Sequence, residues 1–166
     1  MLPTGFRVEQ VDDSCDSILK NLFEHYLHDM AEWFEFDSEE TGAYNYPTST
    51  VWEKGYKVHL LYHQTIPMGF ALLGSGEEFV QQADLQDVDE FFVVRRYRRT
   101  GVGRAFAGHL WDHSPGDWLV RVFQRNLPAM PFWRNTIDGY TDSNYSETVH
   151  RVNGYAWSYF LFRSGD

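Results

Sequence analysis

Apolar side chains recur at helical spacing in the first part of the chain. A short strand is predicted at Phe6 to Val11, and the apolar positions after it fit one face of a long amphipathic helix. Segment 36–50 is rich in acidic residues, glycine and proline, so it is predicted as a loop with room for one irregular helical turn. The apolar helix positions are Ile18, Leu19, Leu22, Phe23, Tyr26, Leu27, Met30, Trp33 and Phe34.

The middle of the chain has the pattern of strands interrupted by one helix. Val58 to Gln64 and Met68 to Leu73 are β-type runs, and the three residues between them predict a hairpin. Val88 to Val94 is the next predicted strand, and the apolar positions from Val102 to Leu110 line one helical face. Trp118 to Phe123 is predicted as a strand because β-branched and aromatic residues dominate it.

The last third predicts a helix followed by a hairpin. The helix runs from about Ala129 to Ile137, and the strands Thr148 to Val152 and Tyr155 to Phe162 flank Asn153-Gly154, a strong turn signal. Hairpins make much of the sheet antiparallel, whereas the two strand-helix-strand crossovers predict parallel neighbours in the middle. We therefore expect a single α/β domain over residues 1–166, with one mixed central sheet of six to seven strands flanked by about four helices.

Composition and charge narrow the class of partner. The chain is 43% hydrophobic and 17% aromatic, which is typical of a folded globule. Its formal charge of −10 disfavours nonspecific attraction to nucleic acid or anionic membranes and suits a cationic or amine-bearing partner. Cys15 has no second cysteine to pair with, the opening residues lack a signal pattern, and no apolar run approaches a spanning length. We expect a cytoplasmic protein.

The segment from Val88 to Phe106, VDEFFVVRRYRRTGVGRAF, carries the clearest chemical signal. A strand that enters a helix through glycine offers free N–H groups and the positive end of the helix dipole, which bind phosphate. The dinucleotide pattern would need glycine at 106 and a Walker loop would need Gly-Lys-Ser/Thr, so neither is present. Five arginines, Arg95, Arg96, Arg98, Arg99 and Arg104, would attract a polyanion such as a coenzyme pyrophosphate.

The stretch from Arg98 to Gly103 resembles the Arg/Gln-x-x-Gly-x-Gly/Ala signature of the GNAT acetyltransferases, and Asn126 to Trp133 is similar to that family's Asn-x-x-Ala-x-x-Phe-Tyr segment. The resemblance covers Phe6 to Phe162 in element order. It implies a GNAT fold splayed between strands 4 and 5, acetyl-CoA as the acyl donor, and N-acetyltransferase (acyltransferase) activity. The implied coenzyme-binding residues are Phe92, Val93, Val94, Arg98, Arg99, Thr100, Gly101, Val102, Gly103, Arg104, Asn126, Ala129 and Trp133.

Acetyl transfer to an amine needs a base, because an alkylammonium is almost wholly protonated at neutral pH. Asp89 and Glu90 are the candidates, and strand alternation places them on opposite faces. Glu90 is favoured, since it shares a face with Phe92 and partial burial would raise its pKa. Many family members have a tyrosine that protonates the departing thiolate where this chain has Trp133. Here the candidates for that acid are Tyr140 and Tyr145, and the alternative is that the thiolate leaves without an acid.

The resemblance also places the first helix and the following loop across the acceptor site. It implies contacts from Tyr26, Asp29, Glu32, Asp37 and Tyr44, whose carboxylates and rings suit an ammonium. A small-molecule amine is the first choice of acceptor, with a protein N-terminus or lysine as the rival and an acyl-CoA sensor without turnover as the alternative from another class. No metal is expected, because the histidine pairs lack thiolate or glutamate partners. The aromatic terminal strands are compatible with a homodimer.

Overall fold

Within residues 1–165, which the computed structural model describes, seven strands form one sheet in the order β1-β2-β3-β4-β5-β7-β6. The strands are β1 (Phe6–Val11), β2 (Lys57–His63), β3 (Ile66–Ser75), β4 (Gln86–Val93), β5 (Gly116–Phe123), β6 (Tyr145–Val152) and β7 (Tyr155–Ser164). The α-helices in this range are α1 (Asp16–Phe34), α2 (Ser49–Glu53), α3 (Val102–His113) and α4 (Ala129–Thr141). None of them is long and apolar enough to cross a membrane.

The hydrophobic pattern predicted these elements, and the differences lie at their ends. Segment 36–50, expected to have room for an irregular helical turn, contains only the first two residues of α2, which runs from Ser49 to Glu53. The β2–β3 turn is shorter than expected, because β3 already begins at Ile66. Pro67 is tolerated inside β3 because the β2–β3 pairing shifts register beside it. The Asn153-Gly154 turn has φ of 51° and 83°, the two positive values that a type I′ hairpin requires.

The sheet buries an apolar cluster on each face. One cluster packs α3 and α4 against the sheet and includes Phe106, Trp111 and Phe160, which are fully buried. The other packs α1 and α2 against the opposite side of the sheet and includes Phe23 and Phe70. Both sides of the central strands are therefore covered, and a polar side chain in the middle of β4 or β5 has little access to solvent.

The two crossovers differ, which corrects one expectation. The crossover through α3 makes β4 and β5 parallel neighbours, as expected. The crossover through α4 does not, because β7 inserts between β5 and β6 and pairs antiparallel with both. Within residues 1–165, β4–β5 is thus the one parallel pair of the sheet.

The parallel pair opens after three residues, as the resemblance implied. Pairing joins Gln86–Val88 to Trp118–Val120 and does not continue along β4. Antiparallel pairing continues on the outer side of each strand, with β3 reaching Val93 and β7 reaching Phe123. The inner edges of β4 and β5 beyond this point are left without a strand partner, and this gap opens a cleft in the sheet.

His59 on β2 should make the protein acid-sensitive. Burial lowers the pKa of its imidazole to about 4, and the nearby His109 and His113 act in the same direction. The unfolded chain takes up the proton near pH 6.5 and the folded protein does not, so stability is retained above pH 6.5 and lost as the pH falls towards 4. After allowance for the solvent that reaches the ring, we expect a loss of about 2 kcal/mol.

Chemical denaturation of wild type and His59→Phe at pH 7, 5 and 4 measures this effect. The variant should lose less stability than wild type between pH 7 and 4. Replacing the exposed His25 by glutamine is the matched control and should leave the pH dependence unchanged. Parallel curves for wild type and His59→Phe would contradict the assignment.

Candidate active site

A cleft of about 890 Å³ lies where β4 and β5 separate, with walls from α1, the loop before α3, and α4. Most of the residues proposed from sequence for coenzyme or acceptor line it. These are Tyr26, Asp29, Glu32, Phe92, Val93, Arg98, Arg99, Gly101, Gly103, Arg104, Asn126, Ala129 and Trp133. The cleft therefore brings the arginine and glycine loop together with side chains of α1 that are some 70 residues earlier in sequence.

The backbone of β4 at the cleft alternates between two partners. The Val94 N–H donates to the carbonyl oxygen of Met68 on β3 at 2.9 Å. Because successive residues of a strand direct their peptide groups to opposite sides, those of Val93 point into the gap. The expected coenzyme contact of Val94 is thereby corrected, since its N–H is occupied and the residue does not line the cleft.

The loop before α3 is shaped for an anion. Gly101 has φ of 89°, a left-handed conformation that glycine adopts without strain, and α3 begins at the next residue. The N–H groups of Val102, Gly103 and Arg104 belong to the first helical turn, which has no acceptors of its own. They carry the positive end of the helix dipole into the cleft.

Two of the expected loop contacts are structural. The Thr100 hydroxyl donates to the carbonyl oxygen of Tyr97 at 2.6 Å and so closes the loop. The Val102 side chain is 2% exposed and packs in the core, so only its backbone can reach a ligand.

Two loop arginines bind a carboxylate of α1. The Arg95 guanidinium donates to Asp29 Oδ1 at 2.6 Å, and Arg98 donates to Asp29 Oδ2 at 2.5 Å. Arg98 also donates through Nε to the carbonyl oxygen of Val93 at 2.7 Å and lies 5.3 Å above the ring of Phe92. Asp29, expected to bind the acceptor, is thus already paired with both cations.

A β-bulge changes the faces of the two acidic candidates. Leu72 pairs with Glu90 and Leu73 with Val88, which leaves Asp89 as an extra residue in β4. Asp89 and Glu90 then both lie on the side of α1 and α2, where burial, and after it the two carboxylates, raise the pKa of Tyr46. The expectation that they face opposite sides of the sheet is wrong, because the bulge breaks the alternation.

Glu90 lies behind Tyr26 as seen from the cleft. The Tyr26 hydroxyl donates to Glu90 Oε2, and Tyr26 lines the cleft whereas Glu90 does not. Burial raises the pKa of Glu90 to about 8, Asp89 adds to the rise, and the hydrogen bond from Tyr26 opposes it. Burial raises the pKa of Tyr26 well above 10, so its hydroxyl keeps its proton at neutral pH.

Asp89 is tied to a buried ion network that the sequence did not reveal. Arg121 on β5 donates to Asp87 Oδ2 and to Asp89 Oδ1, each at 2.6 Å, and its guanidinium lies 3.6 Å from the ring centroid of Phe79. The Asp87 side chain is 1% exposed, and burial raises its pKa to about 6 despite the arginine. Asp89 is committed to this network, so of the two acidic candidates on β4 it is Glu90 that contacts a cleft residue, Tyr26.

The segment before α4 contributes the opposite wall. Asn126 lines the cleft, and its side-chain oxygen also accepts from the Ala129 N–H at 3.3 Å, so it caps the first turn of α4 as well. Trp133 is 7% exposed and packs edge-on against Phe91 and Phe132 with ring centroids 5.0 Å apart. Trp133 therefore forms part of the cleft floor with only a small exposed surface.

The structure places the other acid and acceptor candidates outside the cleft. The Tyr140 hydroxyl donates to Asp112 at 2.8 Å, and the residue lines an adjoining hollow of about 380 Å³ between α3 and α4. Burial raises the pKa of Tyr140 to about 12. Tyr145 packs against Phe160, while the Tyr44 N–H donates to Glu24. Asp37 is exposed and is not among the residues that line the cleft.

Several cleft residues were not proposed from sequence. Met30 and Trp33 were assigned to the core, although they lie one turn from Tyr26 and Asp29 on the same helix and could have been found by that spacing. The others are Phe91, Pro128, Pro131, Phe132, Asn135 and Thr136; Arg95, one of the five arginines expected to attract a polyanion, lines the cleft as well. No group of three histidine, cysteine or acidic side chains within residues 1–165 is arranged to hold a metal ion.

Neither a protein-family model nor a curated protein sequence matches the chain. Solved structures do match it over nearly its whole length. The acetyl-CoA complex of YncA from Salmonella typhimurium has a TM-score of 0.62 at 14% identity, covering 96% of this chain and 94% of that one. Spermidine N-acetyltransferase from Vibrio cholerae, with CoA and spermine, has a TM-score of 0.65 at 12% identity, covering 98% and 97%.

A third matching structure is that of an enzyme that acts on a protein. Ribosomal-protein-S18-alanine N-acetyltransferase from Escherichia coli has a TM-score of 0.64 at 14% identity, covering 97% of this chain and 95% of that one. Other matching structures are described as GNAT acetyltransferases. The mixed sheet, the parallel β4–β5 pair that opens into a cleft, and the flanking helices agree with these structures. The chain therefore has the GNAT fold.

Proposed function

We propose that the protein transfers an acetyl group from acetyl-CoA to the primary amine of a small molecule. The observation that carries the proposal is the gap between β4 and β5, which ends at the glycine-bearing start of α3 and its arginines. A thioester arm can lie along a free strand edge while a diphosphate binds the helix N-terminus. The structural matches solved with acetyl-CoA or CoA support this choice of ligand.

The coenzyme would be held mainly by backbone. The diphosphate would accept from the N–H groups of Val102, Gly103 and Arg104, with Arg99 adding charge at the rim. The thioester arm would lie in the gap, where the N–H of Val93 faces it and can polarise the acetyl carbonyl. The bound coenzyme supplies an acyl group activated as a thioester.

Tyr26 and Glu90 would remove a proton from the acceptor. An ammonium in the cleft meets the Tyr26 oxygen first, so its proton passes to that oxygen while the Tyr26 proton passes to Glu90 Oε2. Glu90 can accept the proton only when ionised. Since its pKa is about 8, we expect activity to increase with pH up to that value.

The neutral amine then attacks the acetyl carbonyl carbon and a C–N bond forms, the nitrogen loses its surplus proton to solvent, and collapse breaks the C–S bond to release the thiolate. The departing thiolate is a tolerable leaving group, and the indole N–H of Trp133 offers no proton. Among residues 1–165, Tyr26 is the one tyrosine that lines this cleft. The Tyr26–Glu90 pair is therefore also the available route for returning a proton to the thiolate.

The class of acceptor is proposed from charge and shape. Tyr26, Asp29 and Glu32 place an aromatic ring and two carboxylates on the α1 wall, and the chain carries a formal charge of −10. These groups suit a cationic amine. A peptide acceptor is the second candidate, because Phe34 and Leu127 adjoin cleft residues in sequence and are 39% and 68% exposed, and they could bind apolar side chains.

Coenzyme binding and turnover test the proposal separately. Acetyl-CoA at about 100 times its Kd should stabilise the protein by about 2.7 kcal/mol, which raises Tm by about 5–10 °C. Thiol release is then followed across polyamines, amino sugars, amino acids and peptides. Release with small amines supports the proposal, and release with peptides alone supports the second candidate. Stabilisation without release would indicate an acyl-CoA sensor, and the absence of both would reject the assignment.

Replacing Gly103 by valine should weaken acetyl-CoA binding at least about 100-fold. A Cβ at this position would lie 3.1 Å from Phe132 on the facing wall, and valine adds two further methyl groups where the backbone must approach the diphosphate. Gly103→Ala should lose less affinity, since the end of the Phe132 ring can shift. Calorimetric titration of both variants, with their unliganded Tm as the check on folding, measures the effect. Equal affinity of Gly103→Val and wild type would contradict the loop assignment.

A further inference from the structure

Asp29 occupies the cations that the coenzyme would use. It lines the cleft from α1, and its two carboxylate oxygens accept from Arg95 and Arg98 of the loop before α3. The Asp29 side chain is 15% exposed, whereas those of Arg95 and Arg98 are 72% and 39% exposed. The carboxylate is thus held in the wall while at least one of its partners remains free to move.

A diphosphate at the α3 N-terminus would compete with this carboxylate. It carries at least two negative charges and accepts strongly from guanidinium groups. Arg98 is partly fixed, because its Nε donates to the carbonyl oxygen of Val93. Within residues 1–165, the hydrogen bonds of the Arg95 guanidinium go to Asp29 alone and its side chain lies mostly in solvent, so it can turn towards a phosphate at low cost.

We propose that Asp29 is an internal anion that the coenzyme diphosphate displaces, and that the displaced carboxylate then becomes part of the acceptor-binding wall. This inference rests on the proposed function. Before coenzyme binds, the acceptor faces a carboxylate neutralised by two arginines. After Arg95 turns to the diphosphate, the same carboxylate keeps at most its contact with Arg98 and presents a less compensated negative charge in the cleft beside Tyr26.

Competition between Asp29 and the diphosphate for the same arginines couples the binding of coenzyme and acceptor, with two consequences. Asp29 weakens coenzyme binding, because its contacts with the arginines must be given up. Bound coenzyme strengthens the binding of an ammonium, since it releases the carboxylate, and by reciprocity the ammonium strengthens coenzyme binding. Coenzyme and acceptor would then bind in a preferred order, with the coenzyme first.

Calorimetric titration with coenzyme A tests the first consequence. Asp29→Asn keeps the size of the side chain and removes its charge, so it should bind coenzyme A about tenfold more tightly than wild type. Glu35→Gln is the matched control, because Glu35 directly follows α1 and pairs with an arginine, Arg125, that does not line the cleft. The affinity of Glu35→Gln for coenzyme A should stay within about twofold of the wild-type affinity.

Spermidine serves as the ammonium probe for the second consequence. Its affinity for wild type should rise about fivefold or more when coenzyme A saturates the protein, and this rise should disappear in Asp29→Asn. Equal or weaker binding of coenzyme A by Asp29→Asn overturns the inference, as does a rise for spermidine that survives the substitution. Failure of wild type to bind coenzyme A at all would instead overturn the proposed function, and the inference with it.

Discussion

Replacing Glu90 by glutamine should lower kcat about 100-fold or more while changing the KM for acetyl-CoA by less than about twofold. The reason is the position of Glu90 behind Tyr26, where it is the final proton acceptor and does not touch the coenzyme. Wild-type kcat/KM should rise with pH to an inflection near 8, the pKa that burial gives this carboxyl. The inflection should be absent from Glu90→Gln. Steady-state rates with a reactive amine between pH 6 and 10 measure both effects.

Stability provides a control for that experiment. The folded protein holds the Glu90 proton between about pH 4.5 and 8 and the unfolded chain does not, so this group destabilises the protein as the pH rises through that range. Glu90→Gln should therefore melt at the same or a higher temperature than wild type at pH 8. Glu147→Gln removes a carboxylate of β6 that pairs with Arg134 of α4, and it should leave kcat unchanged. A Glu90→Gln enzyme with normal turnover would remove Glu90 from the mechanism.

Replacing Arg121 by methionine should destabilise the fold by about 3–5 kcal/mol. The substitution leaves Asp87, which is 1% exposed, without its cation, and it also removes the contact with the Phe79 ring. Because the guanidinium lowers the pKa of Glu90, its loss should also move the pH inflection of activity upwards. Urea denaturation at pH 7 measures the change in the free energy of unfolding.

Two further variants separate this effect from the loss of an ordinary ion pair. Arg134→Met breaks an arginine–carboxylate pair whose arginine side chain is 46% exposed, and it should cost less than about 1 kcal/mol. Adding Asp87→Asn to Arg121→Met should recover part of the loss, since the amide carries no charge to leave unpaired. If Arg121→Met and Arg134→Met cost the same, the network contributes nothing special to stability.

The matched structures do not choose the acceptor for this chain. One acts on spermidine and another on the alanine of a ribosomal protein, at similar TM-scores and nearly the same coverage. Identities of 12% and 14% leave the acceptor-facing residues free to differ. The acidic α1 wall of this protein is the feature that favours a cationic amine, and its contact residues are the ones to vary in substrate screens.

The periodicity of apolar residues was sufficient to predict most of the helices and strands, because it reflects which side of each element is buried. The long apolar stripe of α1, the Asn153-Gly154 turn and the glycines before α3 each depend on residues close in the chain. The order of β6 and β7 was not available in this way, since hairpin pairing is local but the insertion of β7 beside β5 is not. The splay was implied by resemblance and not by the pattern of β4 itself.

The sequence by itself determined the α/β architecture, the glycine and arginine loop, and the acidic character of the chain, because each is encoded by residue types at short spacing. Only the tertiary structure decided which charges meet. The bulge at Asp89 places the carboxylates of Asp89 and Glu90 on one face of the sheet. Arg121 forms an ion pair with Asp89, and the Tyr26 hydroxyl donates a hydrogen bond to Glu90. Asp29 was likewise paired with arginines 66 and 69 residues away. Contacts between residues so far apart in sequence depend on packing and strand register, which the local pattern of residue types does not encode.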